Sequence, residues 1–189
     1  MVLLHGYGSH ERDLPGLLPY LPPMPWVSVR APQDMPGGGA AWFPLSLPDE
    51  PSQDAIDAST ALLWEWIDDE VIEGRSLIPV GFSQGGLMAL QLLRTRPERI
   101  AATVVLAGFV TEAPQPADAR LAQQRPPVFW GRGEADAIVW PAAIARTEAL
   151  LPTISTPTAR RYRGLGHSVD ERMLADVGDF LAANTRIGS

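Results

Sequence analysis

The stretch Leu77-Ile78-Pro79-Val80-Gly81-Phe82-Ser83-Gln84-Gly85-Gly86-Leu87-Met88-Ala89 constrains this chain more than any other. It reads as a short apolar strand, a Gly-x-Ser-x-Gly turn and the start of a helix. So sharp a reversal pushes Ser83 clear of the sheet, with its hydroxyl exposed and the backbone amide of Gln84 beside it. Glycine suits positions 81 and 85 because a side chain there would collide as the helix doubles back over the strand. Pro79 is discordant. Inside a central strand it removes a ladder hydrogen bond, and a bulge or a local mismatch in pairing is needed to absorb it.

The rest of the chain supplies a sheet and helices for this turn to join. Six short apolar runs rich in β-branched residues read as strands: Val2–Leu4, Trp26–Arg30, Leu77–Gly81, Thr103–Leu106, Val128–Trp130 and Thr158–Arg163. Helical patterns lie between several of them. Asp54–Glu73 carries Ile56, Leu63, Trp66, Ile67 and Val71 on one face, with Gly74 placed to end it. Gln84–Arg94 follows the serine turn, Pro141–Leu151 opens on a proline, and Val169–Ala183 presents Val169, Met173, Val177 and Leu181 inward. Ser168 and Glu171 make a capping-box pair for the last of these. Alternating strands and helices predict an α/β fold, a three-layer sandwich around a mostly parallel sheet of about six strands. With 189 residues, 46% of them hydrophobic, the chain suits a single domain spanning 1–189. Its 19 prolines cluster in the intervening segments and mark stiffened loops.

Composition excludes several functions. There is no cysteine, hence no disulfide framework and no thiol nucleophile, which is compatible with a reducing cytoplasm. The net charge of −7, with Arg160-Arg161 the one adjacent basic pair, argues against nucleic acid as a partner. No run reaches the ~18 apolar residues needed to span a bilayer. The opening MVLLHGYG lacks the charged and apolar regions of an export signal, so a soluble, cytoplasmic protein is expected. Three histidines, two of them in one loop, offer no metal-ligand spacing, so neither metal nor other cofactor is expected.

A serine hydroxyl becomes a nucleophile only when a base takes its proton and a third group orients that base. In a parallel sheet, loops after strand C-termini gather on one edge, where sites form. His167, in Arg163-Gly164-Leu165-Gly166-His167-Ser168 after the last strand, occupies such a loop, as does Ser83. His5 and His10 share the loop after the first strand. The acid should sit on another such loop. Asp136, in the Gly-rich turn after Val128–Trp130, precedes an apolar pair able to pack its loop down. Glu134 in the same turn is the alternative; Asp118 and Glu148 are weaker candidates. Donors for an oxyanion are the Gln84 amide and, from His5-Gly6-Tyr7-Gly8, the Tyr7 amide. Placing the first strand beside the serine strand gives the sheet order 2-1-3-4-5-6, with its topological switch between that loop and Ser83.

Leu4-His5-Gly6-Tyr7-Gly8, the GFSQGG at Gly81–Gly86, the turn at Asp136, the Gly-x-Gly-His at 164–167 and Ala41-Trp42-Phe43-Pro44 together resemble the α/β-hydrolase superfamily. Within it they look like the phospholipase/carboxylesterase branch that includes acyl-protein thioesterases. The resemblance implies Ser83 as nucleophile, His167 as base, Asp136 as orienting acid, and Tyr7 and Gln84 amides as oxyanion hole. It implies a structural role for His5, and a pocket near the nucleophile lined by Trp42 and Phe43. Such proteins usually carry two further strands before the His-Gly loop, whereas this chain starts almost inside that strand. The N-terminal edge strands are therefore expected to be missing, leaving the second strand as an exposed edge open to pairing in a homodimer.

The expected activity is a serine carboxylesterase acting on small-molecule esters with short- to medium-length acyl chains. An acyl thioesterase or lysophospholipase is the close alternative, since the acyl-enzyme step is the same. A dienelactone-type hydrolase would resemble a cysteine enzyme, and no cysteine exists. A non-catalytic binding protein on a hydrolase scaffold is the alternative from another class; the intact Ser, Asp, His order speaks against it.

Overall fold

The structure is a computed structural model and describes residues 1–45, 50–71 and 74–185. Six strands form one sheet: β1 (Val2–Leu4), β2 (Val27–Val29), β5 (Pro79–Phe82), β6 (Thr103–Leu106), β7 (Pro127–Gly133) and β8 (Thr156–Tyr162). Their order is β2-β1-β5-β6-β7-β8. Every neighbouring pair runs parallel. In strand count this is the expected 2-1-3-4-5-6, with the serine-bearing strand at the centre.

Burial alternates along the strands. Val2 and Leu4 face one apolar cluster while Leu3 faces the other; Val105, Val128 and Trp130 face the first, Val104, Leu106 and Phe129 the second. The first cluster is closed by α1 (Gln53–Glu70), α2 (Gln84–Thr95), α3 (Asp118–Gln124) and α4 (Pro141–Ile154), through Ile56, Leu63, Leu87, Leu121 and Leu151. The second is closed by α5 (Glu171–Asn184) and a 3-10 turn at Leu14–Tyr20, through Met173, Val177, Leu181 and Leu14. The inner strands β1, β5 and β6 are buried on both faces and read as continuous apolar runs, whereas the edge strand β8 is largely exposed.

Several local features differ from expectation. Helix α1 ends at Glu70; residues 72 and 73 of the expected helix lie outside the described residues. The N-cap of α5 is Asp170, whose carboxylate accepts the Met173 amide at 3.0 Å, and not Ser168 of the expected capping box. An aspartate two residues nearer the helix outcompetes the serine because its charged oxygen also meets the positive end of the helix. A hairpin, β3 (Gln33–Asp34) with β4 (Ala40–Ala41), was not legible in strands of two residues. α3 lies within a proline-rich segment that reads as loop.

Pro79 is accommodated by a change of register. Leu77 pairs with Ile100 but Val80 pairs with Val104, so three steps on the serine strand match four on its neighbour. The extra residue falls opposite Pro79, which opens β5. A bulge therefore absorbs the missing amide.

The segment after β6 is tied down by a buried ion pair. Arg94 of α2, 1% exposed, donates from Nε and Nη2 to the two carboxylate oxygens of Asp118 at 2.8 and 2.7 Å, and from Nη2 to the Ala113 carbonyl. Asp118 in turn accepts the Gln115 amide. Arg94→Ala is expected to destabilise the fold by about 3 kcal/mol, the lower end for breaking a buried pair, because Asp118 is partly solvated. Urea unfolding measures it.

Candidate active site

Ser83 stands at the tip of the β5–α2 turn with φ 55° and ψ −117°, a conformation few side chains adopt. Strain of this kind costs about 1–3 kcal/mol and persists only where the surroundings enforce it. Here the Ser83 amide donates to the Leu106 carbonyl at 2.8 Å, and its carbonyl accepts from Gly86 and Leu87. A Cβ on Gly81 would overlap the Gly85 carbonyl, and one on Gly85 would overlap the Leu4 carbonyl. The glycines are thus required by backbone contacts on both sides of the serine.

The serine hydroxyl donates to His167 Nε2 at 2.8 Å, and His167 Nδ1 donates to Asp136 Oδ2 at 2.7 Å. The other Asp136 oxygen accepts the amides of Ile138 and Val139 at 2.8 and 3.2 Å. With its side chain only 2% exposed, Asp136 faces the imidazole rather than water. The two loops are locked to each other. The Ala135 amide donates to the Leu165 carbonyl, and Gly133 packs too closely on that carbonyl to tolerate a Cβ. Gly164, at φ +77°, turns the chain after β8 towards the serine. The Phe82 ring lies against the imidazole, with centroids 5.0 Å apart.

The other candidate groups are engaged elsewhere. Glu134 is exposed, Asp118 holds Arg94, and Glu148 pairs with Arg132. His10 is exposed and accepts the Arg12 amide.

Gly6 packs against the serine turn: a Cβ there would be 3.5 Å from Ser83 Cβ. The next amide, Tyr7, and the Gln84 amide have no hydrogen-bond acceptor among the described residues.

His5 is buried. Its Nδ1 donates to the Gly6 carbonyl at 2.8 Å and its Nε2 accepts the Ala31 amide at 3.1 Å, which requires the neutral ring. Burial holds its pKa below the usual value, against an opposing pull from the Gly6 carbonyl. A folded pKa below the unfolded value of about 6.5 means full stability above that pH and progressive loss below it. The wild type should therefore lose more stability between pH of about 7.5 and 5 than His5→Gln does, as read from urea midpoints; the depressed carboxylates titrate at lower pH.

Trp42 and Phe43, the expected pocket lining, directly follow β4. They are 1% and 0% exposed, within the core cluster. The side chain of Gln84, unread as a polar anchor in the sequence, pins both: Oε1 accepts the Trp42 amide at 2.9 Å and Nε2 donates to the Phe43 carbonyl at 2.7 Å. Trp42 Nε1 donates to the His5 carbonyl. These bonds tie the Trp42–Phe43 backbone to the serine turn, and the Trp42 ring to the loop after β1.

A parallel sheet with a serine on the strand-to-helix turn and a histidine and an acid on later strand edges defines the α/β-hydrolase class. The chain belongs to the phospholipase/carboxylesterase family, whose sequence profile matches residues 1–185. It is 30% identical over 125 residues to acyl-protein thioesterase 1 of Debaryomyces hansenii, covering 64% of this chain and 53% of that protein. The match to the next curated relative spans 36% of its length, so the chain covers about half or less of these first relatives. Among solved structures it is similar to esterase PE8, with a TM-score of 0.78, 27% identity and coverage of 97% and 91% of the two chains. The Bacillus cereus carboxylesterase shares the fold at a TM-score of 0.84 and 20% identity, with coverage of 97% and 87%.

Proposed function

We propose that this protein is a serine carboxylesterase that opens carboxylic esters of short to medium acyl length through an acyl-enzyme. The observation that carries the reading is the unbroken relay from Ser83 Oγ through His167 to the buried Asp136. Ser83 Oγ attacks the ester carbonyl as His167 Nε2 takes its proton, and Asp136 stabilises the resulting imidazolium. The amides of Tyr7 and Gln84 receive the oxyanion. His167 then protonates the departing alcohol. Water, deprotonated by the same ring, attacks the acyl-enzyme and releases the carboxylic acid and Ser83.

A thioester is the second reading, favoured by the similarity to an acyl-protein thioesterase. The test is a panel of p-nitrophenyl esters from acetate to palmitate plus an acyl thioester, each run beside Ser83→Ala. Rates that survive that substitution would sink the mechanism, and the profile assigns chain length and leaving group. Pairing of two copies along β2, an edge strand with Trp26 48% exposed beside it, belongs to the same proposal; a monomeric mass in solution contradicts it. A cytoplasmic location is part of the same reading, compatible with the cysteine-free composition and checked by cell fractionation.

A further inference from the structure

Arg30 follows β2, away from the triad, and its side chain is 36% exposed. One guanidinium there joins two segments. Nη1 donates to Glu11 Oε2 at 3.1 Å, in the loop after β1. Nη2 donates to Asp34 Oδ1 at 2.8 Å and reaches the carbonyls of Gly38 and Gly39 at 3.2 and 3.3 Å, all in the β3–β4 hairpin. The same two segments are zipped by backbone bonds: the Gly8 amide to the Ala40 carbonyl at 2.9 Å, and the Ala40 amide to the Ser9 carbonyl at 2.7 Å. Gly39 lies so close to the Gly8 carbonyl that a Cβ would overlap it. The peptide that follows Tyr7 is thus fixed by the hairpin, and the hairpin is fixed by Arg30.

We infer that Arg30 is a positioning residue for the oxyanion hole, holding the hairpin against the loop after β1 so that the Tyr7 amide points at the developing charge. The inference rests on the reading of Ser83 as nucleophile and Tyr7 as donor. Only a planar fork reaches two carboxylates and two carbonyls at once; the single ammonium of lysine cannot. Because these pairs are at the surface, they add little to global stability, and the effect belongs to the local geometry.

The experiment compares Arg30→Met and Arg30→Lys with the wild type, using p-nitrophenyl butyrate as substrate and an alkyl trifluoromethyl ketone as probe. The ketone adds to Ser83 and places an oxyanion in the hole. For Arg30→Met, kcat should fall about 10- to 100-fold, as for a donor displaced by a fraction of an ångström to an ångström. KM should stay within about twofold, and the ketone's inhibition constant should rise in proportion to the loss in kcat/KM. Arg30→Lys should fall between, and all melting temperatures should agree within a few degrees. Unchanged kcat, or a fall in kcat with unchanged affinity for the ketone, would overturn the inference. Glu11→Gln, which removes one anchor, should show a smaller loss with the same proportionality and serves if Arg30→Met fails to fold. A wild type that hydrolyses no ester defeats the functional reading itself and the inference with it. A Ser83-dependent wild type beside a fully active Arg30→Met defeats the inference alone.

Discussion

His167→Ala should lower kcat/KM for p-nitrophenyl butyrate by about ten-thousandfold or more while leaving the fold intact. Among the described residues the imidazole is the one base hydrogen-bonded to the Ser83 hydroxyl, and without it no neighbouring group is placed to take the proton. Asp136→Asn should come close to the same loss. An amide at 136 presents either an N–H to a ring nitrogen that already carries a proton, or a neutral oxygen beside an imidazolium it cannot stabilise. In the first case the ring proton moves to Nε2, which can then no longer accept from Ser83; in the second the tautomer survives but the imidazolium loses its counter-charge. Residues that act as one unit lose their effect together, so Ser83→Ala combined with His167→Ala should be no slower than Ser83→Ala alone. A multiplicative loss in the double variant would show that the two side chains work independently. Circular dichroism and melting temperature separate this chemical loss from unfolding.

Gly85→Ala should be strongly damaging for a single added methyl group. Its Cβ would overlap the Leu4 carbonyl at the end of β1 and come within 2.6 Å of the carbonyl of His5, the residue that follows. A flexible side chain could turn aside; a strand bonded on both edges cannot. The expected destabilisation exceeds about 3 kcal/mol, the upper range for overpacking a site that cannot relax. Against a total stability of about 5–15 kcal/mol, that leaves little soluble protein at elevated temperature. Gly37→Ala, where a Cβ would meet open space but φ is +86°, is the control for backbone strain without collision. Recovery of folded Gly85→Ala with a wild-type urea midpoint would contradict the packing described for the serine turn.

Much of this was legible before the structure because the serine turn, the two loops and the sheet share one physical cause. A parallel sheet buried on both faces writes itself as short apolar runs, and its functional loops must follow the C-termini of those runs. Ser83, His167 and Asp136 could be placed on the same edge for that reason alone. What the sequence hid is side-chain and backbone detail without periodicity. Two-residue strands at Gln33–Asp34 and Ala40–Ala41 are too short to show alternation, so the hairpin that carries Ala40 to the loop after β1 was invisible. Nothing in the sequence shows that the rings at 42 and 43 are buried, or that the Gln84 side chain holds the backbone between them. Pro79 was visible as a conflict, but its resolution depends on the register of a strand some twenty residues away.

The most direct test of the central claim is intact-mass spectrometry of the protein after exposure to an alkyl fluorophosphonate, followed by peptide mapping. The account predicts one adduct per chain, carried by Ser83, absent in Ser83→Ala and formed far more slowly in His167→Ala. An unlabelled wild type, or an adduct on another residue while Ser83→Ala still hydrolyses ester, would contradict it.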